Sequence, residues 1–208
     1  RRKWEWAFSF RFQFHSFLRE ANMEKNSENI ESGQYLTFQI GEERYAVGIL
    51  RVKEILRYEE ITRVPRSPRF IRGVINLRGY VVPVVDLAVK FGGRPAPTTL
   101  WTCIVIIEAN HDGDTVTLGL VCDAVDRVTE MADADIQQVP RIGTRHDLEY
   151  LKGMGKIDQQ FVLILDTDKV FSLREMEAAA IAAKAAEGTD EEAVERPQEE
   201  TATAGAGA

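Results

Sequence analysis

The feature of this sequence that most constrains its fold is an internal repeat. Its matches occur in the same order in both copies, and the offset between them drifts only by small insertions. They are Ile61-Thr-Arg-Val-Pro-Arg66 with Ile136-Gln-Gln-Val-Pro-Arg141 at an offset of 75, Phe70-Ile-Arg-Gly73 with Tyr150-Leu-Lys-Gly153 at 80, and Val82-Pro-Val-Val-Asp86 with Val162-Leu-Ile-Leu-Asp166 at 80. Gly48 and Gly119 form a further candidate match. This self-similarity predicts two copies of one structural unit in series.

The segments within the repeat are short and rich in valine and isoleucine, which predicts β-strands. Two such runs flank Gly41 and predict a hairpin over 35–48. Further strands are predicted at 74–77, 80–85, 102–107, 115–122, 124–129 and 161–165. Many short strands favour a mainly β protein, built as barrels or as a sandwich. Residues 49–56 fit a helix or a strand equally well.

The two copies share some positions and differ at others. Gly73 and Gly153 lie where each copy enters a strand, and we expect a bend there that leaves no room for a side chain. In the turn between the last two strands, Arg78 of copy one is replaced by Asp158 in copy two. The fold alone does not require this reversal of charge, so we expect function to lie where the copies differ.

The sequence carries no catalytic motif that we recognise. His15, His111 and His146 are scattered and show no metal-ligand spacing. It has no phosphate loop, no dinucleotide fingerprint and no nucleophile elbow. Cys103 and Cys122 lie in apolar strand runs, which predicts buried thiols rather than nucleophiles or a disulfide framework. The sequence therefore predicts no enzyme, cofactor or metal site, although an enzyme whose site assembles from distant residues stays open.

Charge is distributed unevenly along the chain. The net charge is −7, and most of it comes from the acidic segment after residue 185. By contrast, residues 51–78 hold eight bases and three acids, which predicts an acidic partner surface. This basic stripe also leaves open a second hypothesis, in which a β-barrel binds single-stranded nucleic acid and Tyr58, Phe70 and Tyr80 stack on the bases.

Both ends of the chain are predicted to lie outside the folded unit. Residues 1–33 are interpreted as an extension that is disordered or precedes a native start at Met23, although alternating phenylalanines also suit a membrane-surface anchor. Ser172 and Glu175 have the spacing of a capping box and predict the start of a C-terminal helix. Residues 177–208 are predicted to be the end of that helix and a disordered acidic tail. The absence of an apolar run of roughly 18 residues and the low cysteine content predict a cytoplasmic protein.

At Gly73-Val-Ile-Asn-Leu-Arg-Gly79 followed by Val82-Pro-Val-Val-Asp86, the sequence resembles the CheW family of bacterial chemotaxis coupling proteins. Ordered matches extend over about residues 34–176 and include Tyr45-Ala-Val-Gly-Ile-Leu-Arg-Val-Lys-Glu-Ile55 and Gly119-Leu-Val-Cys-Asp123. The resemblance implies a mainly β fold of two tandem SH3-like five-stranded barrels that share a core, with short helices and a C-terminal α-helix.

The resemblance also implies a function. Family members are not enzymes and need no cofactor. They link the cytoplasmic tips of transmembrane chemoreceptors to the histidine kinase CheA in signalling arrays. The expected partners are therefore a chemoreceptor tip and the regulatory domain of CheA, through which the chain would associate with membrane arrays without entering the membrane itself.

Carried over by motif, the resemblance implies a set of site residues. Those expected to bind the receptor are Ile49, Val52, Glu54, Ile55 and Arg78. Apolar side chains on one face would accept a helical tip, and the two charges would fix its orientation. For Val52 and Ile55 a role in the core is the alternative. The residues expected to shape the turn are Gly73, Asn76 and Gly79, and no residue is assigned to the kinase interface.

Overall fold

The structure, a computed structural model, describes residues 33–172 apart from 60, 96, 112 and 140–149, and also describes 175 and 181. Within these residues the strands are β1 (Gln34–Ile40), β2 (Glu43–Gly48), β3 (Val52–Arg57), β4 (Ile71–Leu77), β5 (Tyr80–Asp86), β6 (Cys103–His111), β7 (Asp114–Cys122), β8 (Ala124–Glu130), β9 (Leu151–Ile157) and β10 (Gln160–Leu165). The helix α1 spans Leu87–Lys90, and 3-10 turns span Ile49–Arg51 and Asp133–Asp135. The segment 49–56, open in the sequence, is thus a 3-10 turn followed by most of β3.

Hydrogen bonds join these strands into two five-stranded sheets of equivalent topology, β8-β1-β2-β10-β9 and β3-β6-β7-β5-β4. Each sheet curls on itself, and we call the first barrel 1 and the second barrel 2. The predicted pair of barrels is confirmed, but the barrel is not the repeat unit. Copy one supplies β1 to β5 and copy two supplies β6 to β10, so each barrel takes three strands from one copy and two from the other. Neither copy can complete a barrel alone.

Strand β6 illustrates how the core is divided. Cys103, Val105 and Ile107 belong to the apolar cluster shared between the barrels. The alternate residues Ile104 and Ile106 belong to the cluster inside barrel 2. A strand buried on both faces needs a continuous apolar run rather than alternation, and the sequence CIVII supplies it.

The strand register supports the repeat and corrects one of its matches. On the parallel ladder of barrel 2, Val84 lies opposite Gly119. Its equivalent in barrel 1, Ile164, lies opposite Ala46. Gly119 therefore corresponds to Ala46 and not to Gly48, since register rather than residue type sets the equivalence.

The two repeat glycines lie where the backbone of a preceding segment crosses the strand. Thr62 and Val74 exchange backbone hydrogen bonds of 2.8 and 3.0 Å across Gly73. Gly73 has a φ of +147°, and a Cβ atom there would lie 2.1 Å from the carbonyl oxygen of Thr62. A Cβ atom on Gly153 would lie 2.6 Å from the side chain of Ile136. Both sites lack room for a side chain, as the sequence predicted.

The predictions for the two ends fall mostly outside the described residues. This applies to the extension over 1–32, to the acidic tail and to the body of the C-terminal helix. At the start of that helix, the backbone N–H of Ser172 donates to Glu175 Oε2 at 2.8 Å, which is one half of a capping box.

Candidate functional site

The two charged residues expected at the receptor surface meet on barrel 2. Glu54 lies on β3, and Arg78 lies in the turn between β4 and β5. Nη2 of Arg78 donates to both carboxylate oxygens of Glu54, at 3.0 and 3.2 Å. The Arg78 side chain is 72% exposed and that of Glu54 is 20% exposed. A pair so open to solvent adds little to stability, and its guanidinium remains accessible to a partner.

A tight turn sets the position of Arg78. Leu77 and Tyr80 face each other across the two-residue turn formed by Arg78 and Gly79, whose φ angles are 54° and 91°. Two positive φ angles are typical of the hairpin turn that matches strand twist. The side-chain oxygen of Asn76 accepts a hydrogen bond of 2.8 Å from the backbone N–H of Gly79. This hydrogen bond closes the turn, whereas Gly73, expected to shape it as well, lies within β4.

The apolar residues expected at this surface are buried to different degrees. Ile49 and Val52 are 4% and 3% exposed and pack in the shared core. Ile55 is half-buried and packs against the same cluster. Of the three apolar residues expected at this surface, only Ile55 is therefore partly exposed. Tyr80, 77% exposed and directly after the turn, is an aromatic neighbour that the sequence reasoning did not assign to this surface.

Several bases of the basic stripe are neutralised within the chain. Their ion pairs are Arg51–Asp168 at 2.7 Å, Lys53–Glu108 at 2.8 Å, Arg72–Asp86 at 3.0 Å and Arg78–Glu54 at 3.0 Å. Of the three aromatic residues, Phe70 packs against the shared core and Tyr58 against the interior of barrel 2. Four of the eight bases are thus paired within the chain and two of the three rings are packed, which interrupts the track of bases and rings that single-stranded nucleic acid needs. The nucleic-acid hypothesis finds no support.

A buried charge that the sequence reasoning missed joins α1 to the C-terminal segment. Nζ of Lys90 lies 5.0, 4.9 and 5.2 Å from the ring centroids of Phe70, Tyr150 and Phe171. It also donates to Glu175 Oε1 at 2.6 Å. Burial by itself would raise the pKa of Glu175, but hydrogen bonds from Lys90 and from the helix start outweigh it and leave this pKa below its ordinary value. The signal for this cluster in the sequence was the repeat, which matches Phe70 to Tyr150, two of the three rings around Lys90.

The two cysteines are buried, as predicted. Cys103 on β6 lies opposite Cys122 on β7, and their sulfur atoms are 3.2 Å apart. The hydrogen bond between the thiols lowers the pKa of Cys103 and raises that of Cys122. Burial raises the pKa of Cys122 further. Thiols enclosed by two core strands have no route to a substrate.

An open pocket of about 460 Å³ lies on barrel 1, between the β1–β2 turn and β10. Its lining includes Glu42, Glu43, Arg44 and Phe161 but no hydroxyl, thiol or imidazole, so it lacks the parts of a serine- or cysteine-type nucleophile. Among the described residues, no group of three or more histidine, cysteine and acidic side chains is arranged to hold a metal ion. Nor does this part of the chain contain a helix long and apolar enough to cross a membrane.

The sequence is similar to a known domain family and to several known proteins. Residues 34–175 match the family model of the CheW-like domain. The chemotaxis protein CheW of Klebsiella aerogenes is 33% identical over 143 residues, which cover 69% of this chain and 84% of that protein. Protein FrzA of Myxococcus xanthus is 30% identical over 152 residues, which cover 71% of this chain and 90% of that protein.

A solved structure is similar in fold as well. The scaffolding protein TtCheW from Thermoanaerobacter tengcongensis matches with a TM-score of 0.62 and 30% sequence identity. The match covers 71% of this chain and 93% of TtCheW. Nearly the whole of that scaffolding protein is therefore represented here.

Proposed function

This chain belongs to the CheW family, and we propose that it is a non-enzymatic adaptor that couples transmembrane chemoreceptors to the histidine kinase CheA in signalling arrays. The family membership supports a chemotaxis scaffold. The finer statement, that the chain joins these two partners, is our inference from the family and from the surface on barrel 2.

The observation that carries the proposal is the Glu54–Arg78 pair on the surface of barrel 2, with the exposed Tyr80 directly after the turn that holds Arg78. A helical receptor tip needs an apolar contact and a charge pattern that fixes its direction. Tyr80, 77% exposed, offers the apolar contact, and the pair offers opposite charges 3.0 Å apart. The tight turn that contains Arg78 holds that charge at a fixed position on the surface.

The test reverses one charge. The variant Arg78→Glu places two acids side by side, and we expect it to bind a soluble chemoreceptor tip fragment at least about tenfold more weakly than the parent protein. In membranes reconstituted with receptor and CheA, it should also fail to place ATP turnover by the kinase under receptor control.

The matched control is Arg94→Glu, which makes the same charge change on an exposed residue of the crossover between β5 and β6. It should bind and signal as the parent does. If a folded Arg78→Glu protein bound the tip fragment as tightly as the parent, the assignment of receptor binding to this surface would be wrong. A parent protein that never confers receptor control on CheA would refute the adaptor function itself.

A further inference from the structure

The two barrels can be compared position by position through their strand ladders. In barrel 2 the ladder of β3 breaks between Val52 and Glu54, and in barrel 1 the ladder of β8 breaks between Val125 and Val128. The rungs on either side match Val52 with Val125 and Ile55 with Val128, because in each barrel a step of three residues on this strand lies opposite a step of two on its partner. The two residues between those rungs therefore match in order, which places Arg127 at the position of Glu54. The turn between β9 and β10 likewise corresponds to the turn between β4 and β5.

At these equivalent positions the charges are reversed. The reversed pairs, with barrel 2 first, are Lys53 and Asp126, Glu54 and Arg127, Arg57 and Glu130, and Arg78 and Asp158. In each barrel the residue on the strand forms an ion pair with the residue in the turn, Glu54 with Arg78 and Arg127 with Asp158. The two barrels therefore display the same ion pair in opposite polarity.

Folding does not explain this polarity. Either order of charges joins strand to turn, and the side chains of Arg78 and Asp158 are 72% and 67% exposed, so neither pair adds much stability. Both turns also place a charged residue at positive φ, 54° at Arg78 and 47° at Asp158. The two-residue hairpin turn requires this conformation, so the turn sets where each charge lies but not its sign.

We propose that the reversed polarity determines which barrel binds the receptor, so that one chain takes one receptor tip, on barrel 2. This inference rests on the proposed function. A tip that presents an acid to Arg78 and a base to Glu54 would meet Asp158 and Arg127 on barrel 1, and like charges brought together across an interface strongly disfavour a complex. The Arg127–Asp158 pair thus disfavours binding of a receptor tip to barrel 1, whose backbone at this surface is equivalent to that of barrel 2.

Two double variants test this inference, and each keeps an internal ion pair so that the fold is preserved. Glu54→Arg with Arg78→Asp gives barrel 2 the polarity of barrel 1. Arg127→Glu with Asp158→Arg gives barrel 1 the polarity of barrel 2. Isothermal titration of each variant with a soluble chemoreceptor tip fragment measures affinity and stoichiometry, and the urea midpoint checks folding.

We expect the parent to bind one tip per chain, the first variant to bind at least about thirtyfold more weakly, and the second variant to take up more than one tip per chain. Unchanged affinity in the first variant would overturn the inference, and so would a stoichiometry that stays at one in the second. A parent that binds no tip would instead refute the proposed function and with it the inference. The parent titration therefore separates the two failures.

Discussion

Breaking the Lys90–Glu175 ion pair should destabilise the protein more than removing both of its charges. The Lys90 side chain is 3% exposed, so Glu175→Gln would leave a buried ammonium 2.6 Å from a neutral amide. Loss of one partner of a buried pair costs about 3–5 kcal/mol. Because the Glu175 side chain is 24% exposed and three aromatic rings still face the ammonium, we expect about 2–3 kcal/mol for this substitution.

The double variant Lys90→Met with Glu175→Gln removes both charges and roughly keeps both volumes. Replacing a whole buried pair by groups of similar size is often close to neutral. We therefore expect the double variant to be at least about 1 kcal/mol more stable than Glu175→Gln alone. Urea unfolding of the parent, both single variants and the double variant at neutral pH measures the four free energies of this cycle.

The matched control is Lys169→Met, because Lys169 also forms an ion pair, with Asp166 at 2.8 Å, but its side chain is 68% exposed. Its urea midpoint should stay at that of the parent. The reasoning is refuted if Glu175→Gln costs no more than this control. It is equally refuted if the two single costs add to the double cost within about 0.5 kcal/mol, because the charges would then not interact.

Three further outcomes follow from the packing. Since the pKa of Glu175 is lowered in the folded chain, the unfolded chain takes up the proton first as pH falls. Stability should therefore drop below about pH 5, and Glu175→Gln should flatten that drop in the urea midpoint. Gly73→Ala should cost more than about 3 kcal/mol in thermal unfolding, because its Cβ would lie 2.1 Å from a backbone oxygen, whereas Gly48→Ala, with open space around it, should stay within about 1 kcal/mol. Iodoacetamide should label Cys103 and Cys122 only after unfolding, and rapid labelling of the native chain by mass spectrometry would contradict their burial.

Local patterns in the sequence were enough to predict most strands and their hairpins. They missed β9, whose residues include Lys152, Gly153, Gly155 and Lys156, because glycine and lysine are poor strand formers. The offset of 80 from β4 was the signal that could have found it. Glu54 and Arg78 were assigned to one site from the family motif alone. In the structure their side chains form an ion pair.

What the sequence by itself determined is the unit that is repeated: short strands, turns and glycines without room for a side chain, all of which depend on neighbours along the chain. Only the tertiary structure decided that β1 and β2 complete the barrel of copy two while β6 and β7 complete that of copy one. It also decided that Ile49 and Val52 are core, that Lys90 is enclosed by rings from both copies, and that Glu54 corresponds to Arg127. Hydrogen bonds and burial between distant segments set these features, and such contacts leave no periodic signal in the sequence.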